Sequence, residues 1–270
     1  IYSVLMTAAL VLSEISTLVI LAVTAGICAF EFFAIVRSDA KLPNELLGTV
    51  AAVLFLPACY IWGYFGIATV LFLLFIALIV WYVFWLRARI SDVAISLFGA
   101  SYIGILLCTF LIIRMHAYAS IQCNACLGAI ESSLLAGFLI FVIISSIWAN
   151  DAAAYIFGSK FGKHKLSPKV SPKKSWEGFF AGTLVSMLIW CALLLIPGIN
   201  ICLWQCLVFG FIASIFGILG DLAESRFKRN SGVKYSGKIL PGHGGLLDRS
   251  DSMFLVGAVS LMLFKCFAVI

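Results

Sequence analysis

Long apolar runs separated by short polar stretches set the pattern of the chain. The runs fall at 1–13, 17–36, 45–61, 64–86, 93–113, 132–150, 176–196, 201–220 and 252–270. A helix that crosses a bilayer needs about 20 predominantly apolar residues, so the first run is short and the others suffice. None alternates with the two-residue period of a barrel strand, and a lone strand would leave its backbone groups unpaired in lipid. The pattern predicts an all-α polytopic membrane protein of about nine transmembrane helices. Residues 1–130 read as N-terminal membrane helices and 131–270 as C-terminal helices carrying the long polar loops, together one integrated membrane domain. The apolar start lacks a basic leader and a small-residue cleavage site, so no signal peptide is expected.

Composition agrees. The chain is 63% hydrophobic and 11% charged, whereas a soluble domain is closer to half apolar and a quarter charged. Charge then orients it. Arg37 and Lys41, Arg87 and Arg89, six lysines from 160 to 174, and six basic residues from Arg226 to Arg249 occupy four loops. Two predicted crossings separate each loop from the next, so all four share one side, with 16 of the 18 basic residues. The positive-inside rule makes that side the cytoplasm, with the N-terminus inside and the C-terminus outside. The expected location is the bacterial inner (cytoplasmic) membrane, with any aqueous chemistry facing the cytoplasm. The net charge of +6 is explained by this topology or by a phosphorylated ligand, and no nucleic-acid partner is expected. Of nine cysteines, seven lie in apolar runs. Cys123 and Cys126 form a lone CxxC placed outside, without the second pair that a zinc site requires.

The polar chemistry gathers in four stretches. In "GILGDLAESRFKR" (217–229), Asp221, Glu224, Ser225 and Lys228 recur at helical spacing and share one face. Glu224 and Lys228 are equally well explained as an ordinary surface ion pair. Asp221, at the edge of a membrane segment, is expected to face a cavity and a partner, because a carboxylate at that depth is costly. In "GKILPGHGGLLDRSD" (237–251), proline and four glycines preclude a regular helix and allow amides to face an anion. Asp248 and Asp251 follow, and one of them is accounted for by a helix cap. Carboxylates from two elements near lysines suggest a magnesium site at Asp221 and Asp248 bridging to phosphate, with room for a second cation. In "SPKVSPKKSWEG" (167–178), two Ser-Pro turns precede Lys173, Lys174 and Ser175 at a helix start, a place to hold phosphate. In "WANDAAAYIFGSKFGK" (148–163), Asp151 ends a membrane run and reads as a ligand or proton acceptor. The soluble phosphate signatures GxxxxGK[ST] and GxGxxG are absent, as is HExxH.

The stretch "SRFKRNSGVKYSGKILPGHGGLLDRSD", with "SPKKSWEG", "GDLAES" and the Asp-x-x-Ala-Tyr-x-x-Gly pattern at 151–158, resembles the signature of CDP-diacylglycerol synthases, the phosphatidate cytidylyltransferases. The resemblance covers roughly 148–254. It implies transfer of the cytidylyl group of CTP to phosphatidate, giving CDP-diacylglycerol and pyrophosphate, at the bilayer surface. It implies metal ligands at Asp221 and Asp248, and catalytic roles for Asp151, Lys173, Lys174 and Asp251. It implies substrate contacts from Ser175, Ser225, Lys228, Arg229, Lys234, His243, Gly244, Gly245 and Arg249. A homodimer is compatible with it. Two departures stand out: Tyr235 where the family has aspartate, and Ser250 where an apolar residue is usual. Two other classes fit the same residues, namely another membrane lipid-phosphate enzyme such as a CTP-dependent polyprenol kinase, and a non-enzymatic transporter. A CDP-alcohol phosphotransferase does not fit, since no Asp-Gly pair exists.

Overall fold

The computed structural model describes residues 2–37, 42–167, 171–233, 236–237 and 244–270, with backbone alone at 2–4, 172 and 173. In chain order the elements are α1 (Tyr2–Leu12), α2 (Glu14–Arg37), α3 (Glu45–Phe84), α4 (Ile90–Ala125), α5 (Ala129–Phe161), β1 (Lys165–Ser167), β2 (Ser171–Ser175), α6 (Trp176–Trp190), α7 (Leu203–Asn230) and α8 (Leu247–Cys266). A 3-10 segment, Cys191–Leu195, continues α6. Among the described residues, six helical stretches are long and apolar enough to cross a membrane: α2, α3, α4, α5, Trp176–Leu195 and α7.

The nine expected runs map onto these elements with three adjustments. The first run forms the 11-residue α1, too short to span. The last run begins inside α8, whose first turns hold Asp248, Arg249 and Asp251. The third and fourth runs share the 40-residue α3, which is interrupted at Gly63 (φ 58°, ψ −136°). A Cβ on Gly66 would meet the carbonyl oxygen of Ala58. Those residues stand about 12 Å apart along an unbroken helix, so the chain turns back on itself at Gly63. Glycine is needed there, because a side chain is strained at positive φ.

One expectation is adjusted. Ser167 and the second Ser-Pro, Ser171-Pro172, lie in the antiparallel pair β1–β2, with Lys165 opposite Ser175 and Ser167 opposite Ser171. A residue before proline is pushed into the extended region, which favours a strand at Ser167 and Ser171. Among the described residues the other regular elements are helices. Cys123, expected in a loop, lies in the last turn of α4, and Cys126 caps that helix in the left-handed conformation.

Polar contacts hold the helices in register. Trp190 donates to Ser146 at 3.1 Å, Ser186 to the Gly210 carbonyl at 3.1 Å, and Ser214 to Asn150 Oδ1 at 3.0 Å. They tie α5, α6 and α7 together where apolar side chains gain nothing by leaving lipid. Arg114 of α4 is fully buried. Its guanidinium donates to the carbonyls of Leu10, Val11 (3.4 Å) and Ser133 (3.2 Å), satisfying orphan acceptors at the end of α1.

Long-range contacts bring the four basic loops to one end of the bundle. Asn44 N–H donates to Ser96 Oγ at 2.8 Å, joining the segment after α2 to the start of α4. Leu247 N–H donates to Glu31 of α2 at 2.8 Å, and Lys174 pairs with Asp221 of α7. At the opposite end Asn124 donates to the Gly198 carbonyl at 3.0 Å.

Candidate active site

At the basic end, α5, β2, α6, α7 and α8 surround a cavity of about 350 Å³. Close helix approaches shape it. A Cβ on Gly220 would lie 2.6 Å from the Asp251 carbonyl oxygen, and one on Gly178 would lie 2.6 Å from that of Ala154. Glycine at these two positions lets α7 approach α8 beside Asp221 and α6 approach α5 beside Asp151. Ser175 caps α6 by accepting from Gly178 N–H at 3.3 Å, which fixes the start of that helix at the cavity wall.

Asp151, Asp221, Glu224, Asp248 and Asp251 line the space together with Lys174, Lys228 and Arg249. The helical spacing read in α7 is realised. Ser225 Oγ donates to Asp221 at 3.2 Å and Lys228 Nζ to Glu224 at 2.7 Å, both one turn apart. Lys228 also reaches Asp248 Oδ1 at 2.5 Å, so one ammonium joins α7 to α8. Asp221 pairs with Lys174 of β2. The other oxygen of Asp248 accepts the backbone N–H groups of Ser236 (3.2 Å) and Gly245 (3.0 Å). Asp251 is buried and accepts from Ser252 N–H at 2.7 Å. Glu224 is 2% exposed, and its Oε1 has no hydrogen-bond partner among the described residues.

The sequence-derived residues divide clearly. Asp151, Lys174, Ser175, Asp221, Lys228, Asp248, Arg249 and Asp251 meet at the cavity. Ser225 supports Asp221 from one turn away, and Gly245 supports Asp248. Arg229 is exposed at the end of α7, and Gly244, at φ 84°, shapes the approach to α8. Lys234, Tyr235 and His243 lie outside the described residues, as does the side chain of Lys173. Sequence reasoning undervalued Glu224, whose spacing from Lys228 also suits a surface pair. It passed over Asn150, Tyr155 and Phe179, which line the cavity, and Glu31, which braces the loop before α8. Only the presence of a carboxylate inside an apolar run signalled Glu31. Among the described residues no three His, Cys, Asp or Glu side chains stand together as a preformed ion cage.

Six long apolar helices, with a cavity lined by carboxylates and lysines at the basic end, give the chain the architecture of a helical membrane protein. A family model described as the cytidylyltransferase family matches residues 1–267. The chain belongs to that family. Curated relatives named phosphatidate cytidylyltransferase include those of Staphylococcus saprophyticus and Staphylococcus haemolyticus, each 49% identical over 120 residues. That of Staphylococcus aureus is 48% identical over a stretch of the same length. The aligned stretch is 44% of this chain and 46% of each relative, so the chain spans about half the length of the curated relatives it matches.

Proposed function

We propose that the protein transfers the cytidylyl group of CTP to phosphatidate, releasing pyrophosphate and forming CDP-diacylglycerol. The single observation that carries this reading is the convergence of Asp151, Asp221, Asp248 and Asp251 with Lys174 and Lys228 on one cavity at the basic end of an apolar bundle. A lipid phosphate at the interface and a nucleotide from the aqueous side can meet there. The staphylococcal relatives, named phosphatidate cytidylyltransferases, support the same substrates.

A phosphatidate phosphate oxygen attacks the α-phosphorus of CTP. A new P–O–P linkage forms, and the bond from the α-phosphorus to the bridging oxygen breaks, with both electrons leaving on pyrophosphate. Both reactants are anions, so the chief tasks are neutralisation and alignment. Lys174 and Lys228 turn from their carboxylate partners toward phosphate oxygens, and Ser175 and the start of α6 offer further donors. Asp221, Glu224 and Asp248 orient these cations, and Asp151 and Asp251 hold any proton carried by the incoming phosphate.

The donors suit magnesium. Five carboxyl groups and three basic side chains face the cavity among the described residues, so oxygen donors for a hard cation outnumber the lysine and arginine partners that could occupy them. Magnesium is commonly held by one or two carboxylates plus substrate phosphates and does not need a cage of three. Asp221 and Asp248 would hold it, and it would supply charge neutralisation at the triphosphate.

The topology proposed with this reading has the basic end in the cytoplasm of a bacterial cell, about eight crossings with α3 contributing two and the short α1 none, and Cys123 and Cys126 outside. An impermeant thiol reagent should reach Cys123 and Cys126 in intact cells; labelling of a cysteine placed at Lys165 instead would reverse the orientation. The activity is tested with purified protein, labelled CTP and phosphatidate in detergent micelles. CDP-lipid and pyrophosphate are expected. Phosphorylated lipid with CDP, or no turnover at all, would reject the reading.

A further inference from the structure

Glu31 lies in α2, 2% exposed, more than 200 residues from the loop it touches. Its Oε2 accepts from Ser236 Oγ at 3.2 Å and from Leu247 N–H at 2.8 Å. These partners lie at the two ends of the 236–247 connection. Glycines at both ends also abut the carboxylate: a Cβ on Gly237 would collide with Oε1, and one on Gly245 with Oε2. Asp248 grips the same ends from the other side, accepting from Ser236 N–H and Gly245 N–H. The described ends of the connection, Ser236 on one side and Gly245 and Leu247 on the other, are therefore held between two carboxylates, Glu31 and Asp248. Glu31 itself does not line the cavity.

This arrangement explains features that the chemistry of the cavity leaves aside. A carboxylate inside a membrane helix is costly unless its acceptors are used, yet Oε1 has no partner among the described residues. The bonds made by Oε2 must justify the burial. They hold Leu247 at the start of α8 and Ser236 beside Asp248. We infer that Glu31 is a positioning residue: acting through Ser236, Gly245 and Leu247, it fixes Asp248 and the connection around it for nucleotide binding. The inference rests on the cytidylyltransferase reading for its effect on turnover, but not for its effect on the connection.

The test compares Glu31→Ala and Glu31→Gln with the unsubstituted full chain in detergent, by amide hydrogen exchange and by steady-state kinetics with CTP and phosphatidate. Glu31→Ala should speed exchange within 236–248 while the other helices keep theirs. It should lower kcat/KM for CTP about ten- to a hundredfold, the scale of losing charge-assisted hydrogen bonds. Glu31→Gln keeps an acceptor oxygen and should recover most of both. If Glu31→Ala proves unstable, Gly237→Ala, which drives a methyl against the carboxylate, should give the same local rise in exchange and the same fall in turnover. When both variants fold, their effects should fall short of multiplying in the double variant, since both act on one contact. Unchanged exchange in 236–248, or unchanged kcat/KM for CTP with altered exchange, overturns the inference. An unsubstituted chain without CTP turnover rejects the proposed function instead, and the exchange measurements still decide whether Glu31 holds the connection.

Discussion

Two regions of this protein each bury basic side chains among helices, and they do it in opposite ways. Between α1, α4 and α5, the Arg114 guanidinium donates to neutral acceptors: the carbonyls of Leu10, Val11 and Ser133 and the Ser133 hydroxyl. At the basic end, Lys228 sits between Glu224 and Asp248, and Lys174 pairs with Asp221. Backbone carbonyls at a helix end are fixed dipoles that exist only when the helix does, so Arg114 is part of what holds α1 in place. The lysines are held by carboxylates around a space that admits an anion. Their partners can exchange when phosphate arrives, and the ammonium groups remain neutralised throughout. On the proposed function, the difference separates a cation that serves the fold from cations that serve a ligand.

The comparison breaks most severely at the carboxylates. Asp221→Asn and Asp248→Asn each keep the side-chain size and remove the charge that attracts both lysine and a hard cation. Turnover should fall by about a thousandfold or more, several kcal/mol of transition-state stabilisation, while the protein still folds. Near-normal rates for either variant across a magnesium titration would remove that residue from the metal site.

Arg114→Leu should act in the opposite sense. It strands the carbonyls at the end of α1 and should lower stability by about 1–3 kcal/mol, read as an earlier thermal transition in detergent. The folded fraction should keep its kcat. A lowered kcat at unchanged stability would dissolve the distinction between the two regions.

Lys174→Gln sharpens it from the other side. The Lys174 side chain is 24% exposed, so the loss of its pair should change stability by less than about 1 kcal/mol. For the reaction, kcat/KM for CTP should fall about tenfold, the cost of one charge-assisted contact. A large drop in melting temperature with intact turnover would make Lys174 structural, like Arg114.

The smallest effect concerns Tyr235, which lies outside the described residues. A phenol with a pKa near 10 is neutral at pH 7 and a poor magnesium ligand. Restoring a carboxylate with Tyr235→Asp should raise kcat/KM about three- to tenfold, part of one charge-assisted interaction. Equal values across pH and magnesium concentration would show that position 235 only shapes the turn.

Much of this was legible in the sequence because a bilayer imposes strong, local rules. Apolar runs must be helices, and the runs at 17–36, 93–113, 132–150, 176–196 and 201–220 correspond to helices with shifted ends. The ends shifted because helices continue past the apolar limit when their polar turns have partners: α7 runs on to Asn230, carrying Asp221, Glu224 and Lys228 out to the cavity. The i, i+3, i+4 and i+7 spacing gave their common face before any coordinates, since that periodicity is local. The reversal at Gly63 and the strands Lys165–Ser167 and Ser171–Ser175 were not legible. The first depends on two helices packing back to back, the second on pairing between residues up to ten positions apart.

The sequence by itself determined a helical membrane protein with its basic loops on one side and its chemistry concentrated between 148 and 254. Only the tertiary structure decided which charges meet. Lys228 could have been a surface partner of Glu224, and burial against Asp248 from another helix made it part of the cavity instead. Arg114 carried no motif, and its role emerges only where α1 ends against it. Glu31 lay in an apolar run far from the signature, and its partners come from residues 236–247. The physical reason is common to all three. A buried charge is tolerable only with a specific partner, and the identity of that partner is a property of packing between distant segments, which periodicity along one segment cannot encode.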